Sequence, residues 1–147
     1  MPDKWSKKWD EVSAQQRQEQ AVLEEMEENY RSKQRSFEER YNRLEDYRQQ
    51  LQYGIDAHYE ESLAMLRQHS DNPNVEEAHQ NLAHLTEMAI QINQDEFSTY
   101  HQKLVDEEEA FEQNYKKEHR EQEEKVDALY WELVKIDQAE KEEKGIQ

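Results

Sequence analysis

The amino-acid sequence predicts an all-α protein, a long antiparallel two-helix hairpin of coiled-coil type. Three observations carry that reading. Apolar residues recur at steps of three, four and seven through both halves of the chain, only two Gly and two Pro occur in 147 residues, and the one strong break lies at the midpoint. A charged content of 37% against 33% hydrophobic would by itself raise the question of disorder, but a disordered composition has no reason to repeat with helical period. One thin-cored helical domain over residues 1–147 is therefore expected.

The first helix is expected over about residues 4–69. Its stripe reads Trp5, Trp9, Val12, Leu23, Met26, Tyr30, Phe37, Tyr41, Leu44, Leu51, Ile55, Tyr59, Leu63 and Leu66. Gly54 costs about 1 kcal/mol relative to Ala inside a helix. Leu51 and Ile55 nevertheless keep phase across it, which predicts a continuous helix with at most a mild kink.

The turn is expected at residues 70–74, Ser70-Asp71-Asn72-Pro73-Asn74. Pro73 removes a backbone donor and pushes Asn72 out of the α region. Asn72 or Asn74 can cap the next helix. With Asn74 as cap, Glu77 stands where the reciprocal partner of a capping box belongs, and acid falls in the first turn where the helix dipole favours it.

The second helix is expected over about residues 75–142, with the stripe Val75, Ala78, Leu82, Leu85, Ala89, Ile92, Tyr100, Leu104, Phe111, Tyr115, Val126, Leu129, Leu133 and Ile136. Two polar interruptions, Asn93–Glu96 and Lys116–Lys125, predict weaker or redirected packing there. A turn centred near residues 72 and 73 makes the numbers of facing residues sum to about 145. That register sets Leu63 against Leu82, Tyr41 against Leu104, Tyr30 against Tyr115 and Trp9 against Ile136.

Charge and composition exclude several function classes. The net charge of −17 divides into −5 over residues 1–72 (11 basic, 16 acidic) and −12 over residues 73–147 (8 basic, 20 acidic). Nucleic acid is not expected as a partner, because phosphate binding needs a basic stripe and only Lys4, Lys7, Lys8 and the Arg31–Lys33–Arg35 run are clustered. No apolar run is long enough to insert in a membrane, and Met1-Pro2-Asp3-Lys4-Trp5 lacks a signal-peptide core, so a cytoplasmic product is expected. The absence of Cys removes disulfides, thiolate metal sites and thiol nucleophiles together.

No catalytic residue, cofactor or metal site is predicted. A narrow hairpin supplies no water-excluding concavity. Glu76-Glu77-Ala78-His79 fits the Glu-x-x-His pattern of carboxylate-bridged metal bundles, but that chemistry needs two copies and further inward carboxylates. Neither Gly stands in a phosphate-cradling loop, and no Ser stands in a Gly-x-Ser-x-Gly setting. Acid clusters such as Glu107-Glu108-Glu109 read as solvated faces making local ion pairs.

Two helices bury one narrow seam, so the expected function is to complete a core with another helix. Apolar residues that exceed one seam mark the surface. They are Leu82, Leu85, Met88 and Ile92, with Met65 and Ile90 nearby, and an aromatic end formed by Leu129, Tyr130, Trp131, Leu133, Val134 and Ile136 opposite Trp5 and Trp9. Trp, Tyr and Met are frequent at binding hot spots.

The mid-chain Asn/Pro turn, the acidic run Leu104-Val-Asp-Glu-Glu-Glu-Ala-Phe111 and the aromatic patch Asp127-Ala-Leu-Tyr-Trp-Glu132 resemble the small α-helical proteins associated with LXG toxins of the type VIIb secretion system in Gram-positive bacteria. The resemblance spans about residues 20–138. It implies a non-catalytic targeting factor or chaperone that binds the helical N-terminal domain of a toxin, together with a second small helical protein in some assemblies, and is exported with that cargo or remains behind. The chain departs from the Trp-Xaa-Gly hairpins of the same pathway, since no Trp is followed two residues later by Gly. Phe-x-x-x-Asp is also missing: the residues four after Phe37, Phe97 and Phe111 are Tyr41, His101 and Tyr115. Tyr41-Asn-Arg-Leu-Glu45 fits a looser form of that signal but lies mid-helix. The alternative of another class is a homodimeric antiparallel coiled coil acting as scaffold or spacer.

Overall fold

A computed structural model describes residues 4–145. Two helices, α1 (Lys4–Gln68) and α2 (Val75–Glu143), pack against each other as an antiparallel, all-α hairpin. α1 runs through Gly54 without a break. Both helices end with a base in the last turn, Arg67 and Lys141, and α2 opens with Glu76 and Glu77, each charge favourable to the dipole beside it. Beyond α2, Gly145 takes a φ of 66° while its N–H reaches the Glu142 carbonyl, a left-handed helix stop that Gly adopts at little cost.

The turn forms where Pro73 places it, and Asn74 caps α2 with Asn72, rather than Glu77, as the partner of its N–H. The Asn74 carbonyl accepts the Ala78 N–H at 3.1 Å, which makes Asn74 the residue that opens α2. Its own N–H, which a capping box would give to Glu77, goes instead to Asn72 Oδ1 at 2.9 Å. Asn72, pushed out of the helical region by Pro73, is free to form this local Asx turn.

Contacts divide the chain into two compact units: Met1–Arg35 with Glu109–Gln147, and Ser36–Glu108. The second unit contains the turn. Each helix contributes to both.

In the unit formed by the two chain ends, Val12, Leu133 and Ile136 make a buried cluster flanked by Trp5 and Leu129. Val12 and Leu133 keep the expected register, as do Tyr30 and Tyr115, whose rings stack with centroids 3.9 Å apart. Phe111 stacks on Tyr30 from a second position at 5.8 Å. In the turn unit Phe37 and Leu104 are buried, Arg40 lies over the Phe37 ring, and Arg48 lies over Phe97.

Both polar interruptions carry polar contacts across the seam. Gln122 is buried and donates to the Glu19 carbonyl at 2.9 Å and to the Glu19 carboxylate at 2.6 Å. Asn93 is buried and donates to the Arg48 carbonyl at 3.2 Å. His119 sits 3.2 Å from Glu27 across the seam and 3.4 Å from Glu123 on its own helix. Polar side chains at seam positions disfavour shifted registers, because a slip would bury them without partners.

Candidate partner-binding surface

The candidate surface is what remains uncovered after α1 and α2 have packed. Leu82, half-buried, lies at the edge of the seam. Leu85, Met88 and Ile92 are 62%, 47% and 54% exposed, and their spacing of three and four sets them on one side of α2 as a second apolar stripe. The buried residue of this stretch is Asn93, which faces α1.

On the same flank, α1 presents Tyr47, Leu51 and Gly54. Leu51, Gly54 and His58 from α1 and Leu82, Leu85 and Ala89 from α2 line a groove of about 400 Å³. Thr86, also in its lining, turns its hydroxyl back to the Leu82 carbonyl at 2.8 Å. A second groove in this unit holds Tyr47 and Tyr100, both largely exposed, beside Arg43 and Lys103. Sequence reasoning passed over Tyr47, which falls outside the first-helix stripe. Its step of four to Leu51 was the available signal.

The residues at the chain-end unit divide into two groups. Leu133 and Ile136, each 7% exposed, are occupied by the seam with Val12 and are therefore withdrawn from the docking surface expected of them. Leu129 and Trp5 pack half-buried on that cluster, and Lys4 and Lys8 approach the Trp5 ring. Trp9, Tyr130 and Trp131 remain exposed, with the last two in edge-to-face contact at 5.7 Å. Trp131 lies about half a turn of helix away from Leu133, which is why adjacent numbers have opposite environments.

Electrostatics within the surface is local. Arg40 makes a two-pronged ion pair with Glu107, at 2.9 and 2.7 Å. Hydrogen bonding from Arg48 holds the Glu45 carboxyl below the usual carboxylate range. Burial, reinforced by Glu27, raises the Tyr115 phenol, and burial with Glu108 raises Tyr41. No group of three or more His, Asp or Glu side chains converges as a metal site among the described residues.

No family model, curated protein or solved structure matches the chain. No described helix is long and apolar enough to cross a membrane.

Proposed function

We propose that this chain is a non-enzymatic helical interaction protein, a targeting factor or chaperone that packs side by side with the helical N-terminal domain of a toxin handled by type VIIb secretion. The observation that supports the reading is the stripe Leu85, Met88 and Ile92, exposed on a helix whose opposite side is already packed. Covering such a stripe with a third helix would gain roughly 1 kcal/mol for each side chain, about half the full-burial value because each is already about half covered. The sequence resemblance supplies the cargo class, and with it a cytosolic place of action before export.

Co-expression with the helical N-terminal domain of an LXG toxin, followed by mass measurement in solution, tests the reading. A mixed complex lost in Leu85→Asp is expected. A stable symmetric dimer that ignores the toxin domain would overturn it in favour of the homodimeric scaffold.

A further inference from the structure

Gly54 stands inside a 65-residue helix at a place where nothing in its own chain asks for glycine. It is not among the positive-φ residues, and a Cβ added there would meet no atom within 4 Å. Alanine would therefore fit and would favour the helix. Gly54 itself forms part of the wall of the groove lined by Leu51, His58, Leu82, Leu85 and Ala89. A missing Cβ on an exposed apolar groove permits close approach by another backbone, as small residues do wherever helices cross at short range.

The stretch of chain that carries this groove is acidic. Residues 49–102 contain a single Lys or Arg, Arg67, against nine Asp and Glu, a net of −8. Packed helices lie 8–10 Å apart, about one Debye length at physiological salt, so flanking charges of an occupant interact with this field. A second copy would bring the same −8 against itself. A helix with Lys or Arg beside its apolar stripe gains the attraction that a second copy lacks. The hydroxyl of Thr86 already donates its proton to the Leu82 carbonyl, so it needs no acceptor from what lies in the groove.

We infer that this groove is the seat of a cationic amphipathic α-helix from a different protein, crossing closest to α1 over Gly54. The inference rests on the interaction reading above and names the chemistry of the partner.

Two labelled synthetic helices test it with the full chain by fluorescence anisotropy. They share one Leu/Ala stripe and differ only in Lys or Glu flanks. The lysine-flanked helix is expected to bind at least about tenfold tighter, with affinity falling as salt is raised. Gly54→Leu should weaken it by about tenfold or more by filling the groove, and Gly54→Ala by less, with the helical circular dichroism of both variants unchanged. Equal affinity for the two peptides, undiminished binding by Gly54→Leu, or a homodimer that Gly54→Leu dissociates would each overturn the inference. Toxin-domain capture that survives Gly54→Leu would also overturn this seat while leaving the proposed function standing. Binding of the lysine-flanked helix that depends on Gly54, without toxin-domain capture, would support the seat and remove the proposed cargo.

Discussion

Tyr30 and Tyr115 stack across the seam with ring centroids 3.9 Å apart and planes within 15°, in the register that a turn at Pro73 dictates. The Tyr30 hydroxyl donates to the Glu112 carboxylate and accepts from Gln34 Nε2 at 2.7 Å, so the ring is held at its face and at its edge. Tyr115→Ala should destabilise the hairpin by about 2 kcal/mol, below the full-burial cost because the ring is half-buried. A double-mutant cycle with Tyr30→Ala in urea should return a coupling of about 1 kcal/mol. Independent effects would mean that the stack contributes nothing.

Alkaline pH should weaken the fold in part through its tyrosines. Burial and neighbouring carboxylates raise Tyr115 and Tyr41, so the folded chain holds these protons more tightly than the unfolded chain does. The resulting stability is complete below the unfolded value of about 10 and is lost as pH rises through the raised folded values. The melting temperature should begin to fall above about pH 10, and the Tyr41→Phe/Tyr115→Phe pair should lessen that fall by a small amount, as expected for partly exposed phenols. Glu45 acts at the other end of the scale: its lowered value gives stability above about pH 4 that disappears as the pH falls further, a small effect at an exposed pair.

The buried amide of Gln122 is expected to set register more than stability. Gln122→Leu leaves an apolar seam position and should change the unfolding free energy by less than about 1.5 kcal/mol. Sedimentation should show additional associated species, because a longer apolar stripe tolerates more than one alignment. Gln122→Ala leaves Glu19 without this donor and should cost about 1–2 kcal/mol.

Leu133 and Leu85 carry opposite predictions. Leu133→Asp places a charge among Val12 and Ile136 and should cost about 3 kcal/mol or more, seen as lost hydrogen-exchange protection in the chain-end unit. Leu85→Asp changes an exposed position and should alter stability by no more than about 0.5 kcal/mol while removing partner capture. Equal stability losses in the two variants would show that Leu85 also belongs to a core.

Gly54→Ala should stabilise the isolated chain by about 1 kcal/mol, since the added methyl meets open space and the helix loses its most flexible residue. Thermal melts of the two proteins decide it. A destabilised variant would mean that glycine serves the free fold.

The hairpin was legible in the stripe and in Pro73 because helical period and a missing backbone donor are local properties. The register followed from the turn position, as Val12 with Leu133 illustrates. The polar interruptions were legible as polar but not as cross-linked. Whether Asn93 or Gln122 finds a carbonyl depends on what the opposite helix presents, and both do. The Asn74 N–H went to Asn72 rather than to Glu77 for a similar reason: two side chains could satisfy the same donor, and the shorter loop prevailed.

What the sequence alone determined is the pair of amphipathic helices, their turn and their excess of apolar surface, because these depend on neighbours three and four residues away. Which part of that excess remains uncovered was decided only by tertiary structure. The packing withdrew Leu133 and Ile136 into the seam and left Leu85, Ile92 and the Gly54 groove exposed, since burial depends on the opposing helix as well as on a residue's own hydrophobicity.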